Sequence, residues 1–292
     1  MTGVQTCALP ILSALAAGQG HEAVVVDRAA YRGEVAFVVP GQGHQWVGMG
    51  RALLAEPEAG AVMRAAAAEL GPLVDFDVLA ALGGAGALER SAVVQPALFV
   101  LTLGLAAAWR ARGVVPAAVV GHSQGEVAAA VIAGMLSVAD GARVIAARSR
   151  LTARLGGAMA VVQLPLAALE GRLRRYPGLA IAAVNGAASV VVAGAEAEVE
   201  ALLAELAGVC FARRMRVDYA SHCASVEPIL PALAEALAGL EARDGAVPLY
   251  STVTGAAIDG RRLDAGYWAR NLREPVRLDR AIEALLGDGF GV

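Results

Sequence analysis

Short apolar runs rich in β-branched residues alternate along this chain with longer alanine-rich stretches of helical spacing. The first run, Glu-Val-Ala-Phe-Val-Val-Pro at 34–40, is too short for a helix and ends at a turn, so it predicts a buried strand. Alanine-rich helices are predicted at 49–70 and 96–111, a second strand at 114–120, a helix opening at 125–133 and another over 140–154. Strand, tight turn and helix in that order build a parallel α/β unit. A second pattern lies inside the first. Residues 158–164, 179–184, 189–193 and 210–217 read as strands, with helices at 166–176 and 197–206 between them. That β-α-β-β-α-β order is the ferredoxin-like signature. The expected fold class is therefore α/β: a large body with a parallel sheet over 34–155 and 218–292, interrupted by a small ferredoxin-like subdomain at 156–217.

Composition narrows the function. Hydrophobic residues are 57% of the 292 and charged residues 17%, which suits a globular chain with a substantial core. The net charge of −3, with no basic stripe carrying interleaved aromatics, excludes a nucleic-acid footprint and offers nothing to an anionic membrane surface. No apolar run is expected to reach the roughly 18 residues of a membrane span. Three cysteines, Cys7, Cys210 and Cys223, form no disulfide framework and fit a reducing cytoplasm. Residues 1–11 resemble the translation of a sequencing adapter and are set aside, Cys7 with them. Residues 12–33 show little periodicity and read as a linker. Residues 287–292 read as the approach to a further strand, so the chain is expected to be an internal fragment of a longer gene.

Gly121-His-Ser-Gln-Gly125 is a G-x-S-x-G sequence between a predicted strand and a predicted helix. That context places Ser123 on a sharp elbow at a strand end, its oxygen exposed above a helix N-terminus that can stabilise a developing anion. A serine nucleophile needs a base. Of the four histidines, His21 lies in the linker, and His122, adjacent on a tight turn, should diverge from Ser123. His44 sits in the Gly41-Gln-Gly43 loop, where Trp46 suggests packing. His222, after the last strand of the insert, is the best candidate. The glycine-flanked Gln42 follows the first strand and would reach the same sheet edge; with no G-K-[ST] after it, the loop is not a P-loop. The 140–154 helix carries Arg143, Arg148 and Arg150. An inward guanidinium would suit an anionic acyl group, but spacing alone does not choose between Arg148 and Arg150.

Pro40-Gly-Gln-Gly-His-Gln-Trp46, Gln95-Pro-Ala-Leu-Phe99, Gly121-His-Ser-Gln-Gly-Glu126, Arg148-Ser-Arg150, Tyr219-Ala-Ser-His222 and Asn271-Leu-Arg-Glu-Pro-Val276 together resemble, in order and spacing, the acyltransferase domains of modular polyketide synthases, relatives of the malonyl-coenzyme A:acyl carrier protein transacylases. The resemblance covers about 12–292 and makes residues 12–33 the end of a ketosynthase-to-acyltransferase linker. It implies an α/β-hydrolase-like body and a ping-pong acyltransferase with Ser123 as nucleophile and His222 as base. It implies an oxyanion hole from Gln42 and the Gln124 amide, Arg148 against the extender carboxylate, and the Asn271 backbone orienting His222. Tyr219, Ser221 and Gln95 resemble the methylmalonyl-type pattern, because Ser221 is small where malonyl-type relatives carry phenylalanine. Ser91-Ala92 departs from that pattern, which usually has Val-Asp there, and His44 stands where serine is common. No metal or bound cofactor is implied; the substrate is a coenzyme A thioester and the acceptor the phosphopantetheine of an acyl carrier protein. The expected partners are that carrier and neighbouring synthase domains in the same polypeptide, and the expected location is cytoplasmic. An esterase or thioesterase sharing the elbow and a non-catalytic docking module are the competing readings. An inward arginine argues against the first, and the intact Ser123 and His222 against the second.

Overall fold

The first apolar run forms strand β1 (Ala36–Val39), parallel to β2 (Ala118–Gly121), with Val39 opposite Gly121. Every residue of β2 is buried, which is why it reads as an unbroken apolar run rather than an alternation. These elements belong to a computed structural model that describes residues 13–14, 16–18, 34–85, 88 and 90–290. The chain divides into two units, 1–33 and 34–292. In the first, Ala17 N–H donates to Ser13 O across a helical turn. The adapter-like segment 1–11 and most of the linker 12–33, His21 included, lie outside the described residues.

Seven further strands follow in the second unit: β3 (Ala158–Val162), β4 (Leu179–Gly186), β5 (Ser189–Gly194), β6 (Ala212–Arg214), β7 (Leu249–Ser251), β8 (Ala256–Ile258) and β9 (Val276–Arg277). One sheet runs β1-β2-β7-β8. It is mixed rather than parallel as expected: β7 joins β2 in parallel, but the tight turn at 252–255 folds β8 back antiparallel on β7. The second sheet runs β6-β3-β5-β4-β9. Its first four strands are antiparallel and arise in the β-α-β-β-α-β order read from the pattern, with helices Leu166–Leu173 and Glu196–Leu206 between them. The fifth strand was not foreseen. β9 comes from beyond residue 217 and lies parallel on β4, Ala183 opposite Val276.

Helix boundaries differ from the pattern where proline intervenes. The stretch 49–70 is two helices, Arg51–Ala55 and Pro57–Leu70, because the residue before a proline is pushed out of helical geometry; Glu56 is extended at φ −76° and ψ 134°. The helix expected at 96–111 begins at Ser91 and carries Pro96 inside it. That helix, Ser91–Ala111, is also long and apolar enough to cross a membrane, contrary to expectation. Its residues are mostly buried, packed against the Pro57–Leu70 and Val138–Thr152 helices, as a helix apolar on all sides must be. The strand expected over 210–217 shortens to β6. A helix that the pattern did not single out, Leu278–Gly287, lays Ala281 and Leu285 on Ala118, Val120 and Tyr250; of the segment 287–292 read as the approach to a strand, residues 291–292 lie outside the described residues.

The elbow between β2 and the Gly125–Ile132 helix depends on two missing side chains. A Cβ on Gly121 would lie 2.2 Å from Glu126 Cα, and one on Gly125 would lie 2.4 Å from Pro40 O. Gly121→Ala should therefore destabilise the fold by about 1–3 kcal/mol or more through backbone displacement. Chemical denaturation would show this, and an unchanged midpoint would mean that the turn relaxes freely.

Candidate active site

Because β1 and β2 are parallel and in register, the Gly41-Gln-Gly43 loop and the Gly121–Gly125 turn leave the sheet at one edge, and His122 N–H donates to Val39 O at 2.8 Å. Ser123 sits on that turn at φ 54°, and His222 has φ 61°; they are the two non-glycine residues with positive φ among the described residues. Such backbone is held only where surrounding structure over-determines it. The turn's own bonds run from Gly125 N–H to His122 O (2.9 Å) and from Glu126 N–H to Ser123 O (3.0 Å).

Ser123 Oγ lies 2.7 Å from His222 Nε2, and His222 Nδ1 lies 2.8 Å from the Glu274 carbonyl. A carbonyl oxygen only accepts, so Nδ1 carries the proton and Nε2 presents its lone pair to the serine hydroxyl. Burial, together with the Arg148 charge nearby, pushes the His222 imidazolium down to about 3, so the ring is neutral at physiological pH. The orienting carbonyl is that of Glu274, not the expected backbone of Asn271. The helix Ala265–Arg273 has ended by Glu274, whose extended backbone frees its carbonyl to turn toward the imidazole.

Asn271 instead uses its side chain. Its Oδ1 accepts from Arg148 Nη1 at 2.6 Å, and its Nδ2 donates to Glu126 Oε2 at 3.1 Å. Arg148 Nη2 donates to Ser123 Oγ at 3.0 Å. Arg148 is 2% exposed whereas Arg150 faces out, which decides between them: two residues along a helix is a rotation of about 200°, so only one can point inward. Desolvation pulls Arg148 below its ordinary value. Its Nε is buried without a hydrogen-bond partner among the described residues.

Three residues beyond Ser123 lies Glu126, fully buried, to which pattern reading assigned no role. Tyr267 Oη donates to its Oε1, and Thr252 Oγ1 lies 2.9 Å from its Oε2. Burial raises it to about 7 against the opposing pull of those donors. The available signal was a lone acid opening the otherwise apolar Gly125–Ile132 helix.

A chamber of about 40 Å³ at Ser123 is lined by Gln42, Gln124, Met159, Tyr219, Ser221 and His222 among others. Gln95, fully buried, donates from Nε2 to Gln42 Oε1 (3.2 Å) and to Tyr219 Oη (2.9 Å). Ser221 Oγ lies 3.4 Å from Met159 Sδ. Gly41, Gln42, His122 and Met215 also line a cleft of about 940 Å³ that extends along β6 to Arg213 and Arg216. His122 does diverge from Ser123, its Nε2 lying 2.9 Å from Asn185 Oδ1. His44 and Trp46 are exposed rather than packed, Trp46 at 63%. Among the described residues no group of three or more His, Cys, Asp or Glu side chains could hold a metal ion.

Residues 36–292 match the family model described as "Acyl transferase domain". The chain is 49% identical over 296 residues to polyketide synthase GfsE of Streptomyces halstedii, covering 96% of this chain and 8% of that protein. It is 48% identical over 262 residues to erythronolide synthase EryA3 of Saccharopolyspora erythraea, covering 88% of this chain and 8% of that one. The chain thus spans less than a tenth of these relatives' length. Among solved structures it resembles the acyltransferase domain from module 8 of the salinomycin polyketide synthase, with TM-score 0.87 and 41% identity over 97% of this chain and 69% of that one. It also resembles a loading acyltransferase from the avermectin modular polyketide synthase, with TM-score 0.85 and 41% identity over 87% and 84% of the two chains.

The geometry fits the expectation of Ser123 as nucleophile and His222 as base, with Ser123 Oγ hydrogen-bonded to His222 Nε2 and His222 Nδ1 to the Glu274 carbonyl. Ser123→Ala should abolish covalent acyl-enzyme formed from an acyl-coenzyme A, read by intact mass, and a persisting adduct would refute the assignment. His222→Ala should slow its formation by about 10²–10⁴-fold.

Proposed function

The chain belongs to the acyl transferase domain family, and on that premise we propose that it loads an extender unit from coenzyme A onto the phosphopantetheine thiol of an acyl carrier protein within a modular polyketide synthase. The observation that carries this reading is the buried Arg148, which donates to Ser123 Oγ, the same oxygen that is hydrogen-bonded to His222 Nε2. A neutral-ester hydrolase gains nothing from a desolvated guanidinium beside its nucleophile. A carboxylated acyl group does, because a carboxylate matches the guanidinium fork and the unpartnered Nε supplies a further donor.

In the first half-reaction His222 Nε2 takes the Ser123 proton as Oγ attacks the thioester carbonyl. Negative charge collects on the carbonyl oxygen, where the Gln124 amide at the N-terminus of the Gly125–Ile132 helix and Gln42 act as donors. The intermediate collapses with loss of coenzyme A thiolate, which takes the proton back from His222. In the second, His222 deprotonates the phosphopantetheine thiol, which displaces Ser123 from the acyl group and restores the hydroxyl. In this reading either pantetheine arm lies in the 940 Å³ cleft, which shares Gly41, Gln42, His122 and Met215 with the chamber at Ser123. No metal or bound cofactor takes part.

The extender in this reading is methylmalonyl. Ser221 and Tyr219 wall the small chamber, and a serine there leaves room beside the acyl α-carbon for one methyl group. Around this site, residues 34–155 and 218–292 form the hydrolase-like body, and 156–217 the ferredoxin-like subdomain. The β6-β3-β5-β4 strand order supports the latter. Residues 12–33 end a linker from a ketosynthase, which with the carrier protein is a partner in the same cytoplasmic assembly.

Two experiments test the proposal. Arg148→Ala should cut acylation by methylmalonyl- or malonyl-coenzyme A by at least about tenfold more than acylation by propionyl-coenzyme A; equal losses would make the residue structural. With equimolar malonyl- and methylmalonyl-coenzyme A, wild-type Ser123 should carry mostly methylmalonyl, with a preference of about 10–200-fold. Ser221→Phe combined with Tyr219→His should move that preference toward malonyl. A predominantly malonylated wild type would overturn the extender assignment and leave the transfer reaction standing.

A further inference from the structure

Glu126 and Arg148 are the two buried residues among the Asp, Glu, Lys and Arg of the described chain, and the amide of Asn271 stands between them. We infer that Glu126 is a positioning residue: its carboxylate sets the orientation of the Asn271 amide and through it the Arg148 guanidinium, governing how the site accepts a carboxylated acyl group without touching it. This rests on the reading of Arg148 given above and adds a residue to it.

The argument is one of proton accounting. Ser251 Oγ accepts from the backbone N–H groups of Val253 (3.0 Å) and Thr254 (3.1 Å), which occupies both lone pairs. Its own proton therefore goes to Tyr267 Oη, 2.6 Å away, and Tyr267 passes its proton on toward Glu126 Oε1. The other carboxylate oxygen faces Thr252 Oγ1 and Asn271 Nδ2. Burial raises Glu126 to about 7, so above that pH it is ionised and can only accept; it then draws the NH₂ of Asn271 toward itself and turns the amide oxygen to Arg148 Nη1. Tyr267 and Asn271 stand four residues apart on the Ala265–Arg273 helix, so one helix face supplies both donors. The guanidinium is thereby held with Nη2 on Ser123 Oγ, and a buried positive charge has its counter-charge one amide away.

The test uses the full chain and follows acylation of Ser123 at varied concentrations of methylmalonyl-coenzyme A and of propionyl-coenzyme A, the same acyl group without the carboxylate. In Glu126→Gln an NH₂ replaces one acceptor, and Asn271 can then turn its oxygen away from Arg148. KM for methylmalonyl-coenzyme A should rise about tenfold while the maximal rate changes by less than about threefold, and kcat/KM for propionyl-coenzyme A should fall far less. In an Arg148→Ala background, Glu126→Gln should add less than about twofold, because its effect runs through the missing guanidinium. Tyr267→Phe, which removes one donor and keeps the carboxylate, should shift the same ratio in the same direction by about two- to threefold; if Glu126→Gln does not fold, this variant decides. Equal losses for the two thioesters, or an additive double mutant, would overturn the inference while Arg148→Ala keeps its own selectivity. If Arg148→Ala itself affects both thioesters equally, the reading of Arg148 falls and this inference with it.

Discussion

A guanidinium removed from water is costly unless acceptors or a counter-charge meet it, and the interior around Arg148 is organised to supply them at Nη1 and Nη2. Its helix, Val138–Thr152, is otherwise buried mainly through apolar residues, and its buried Ser149 and Thr152 hydroxyls bond to the helix's own carbonyls, so the partners must come from elsewhere in the chain. They arrive from two places. The turn after β2 supplies Ser123 and, one helical turn on, Glu126. The helix Ala265–Arg273 supplies Asn271 from more than a hundred residues away. Bringing these together places Ser123 Oγ within hydrogen-bond reach of both Arg148 and His222.

The same assembly explains where the strain lies. Ser123 and His222 both adopt positive φ, and each is pinned by neighbours that leave no alternative. Gly121 and Gly125 admit close backbone approach on either side of Ser123, while His222 N–H is anchored on Leu272 O and its ring on Glu274 O. The segment that holds His222 then continues directly into β9, the strand that joins the second sheet. One stretch of backbone therefore orients the His222 ring and continues into the second sheet, which couples the Ser123–His222 geometry to the wall of the chamber carrying Met159 and Ala183.

Much of this was legible in the amino-acid pattern. β2, Ser123 and the following helix were readable together because a buried strand, a glycine-flanked turn and an apolar helix each leave a local mark. The insert was readable because its strands are short, regularly spaced and separated by helical runs. Asn271 was placed near the site but given the wrong contact, since no local signal distinguishes a residue offering its carbonyl from one offering its amide three positions earlier. Pro57 was visible, yet the alanine content around it outweighed the single break. The pairings of β7, β8 and β9 left no trace, because strands of two or three residues carry no periodicity and exist through their partners.

The residues alone were enough to settle most of the strands and helices before residue 217, which serine stands on a glycine-flanked elbow, and that an arginine pair follows on one helix, because propensity, spacing and turn chemistry act over a few neighbouring positions. They could not settle which arginine turns inward, which carbonyl holds the imidazole, or that Glu126, three residues beyond Ser123, is buried. Those outcomes depend on burial, and whether a charged side chain is buried depends on elements distant in sequence packing around it and supplying its hydrogen bonds. Only the folded chain brings Arg148, Asn271 and Glu126 into one line.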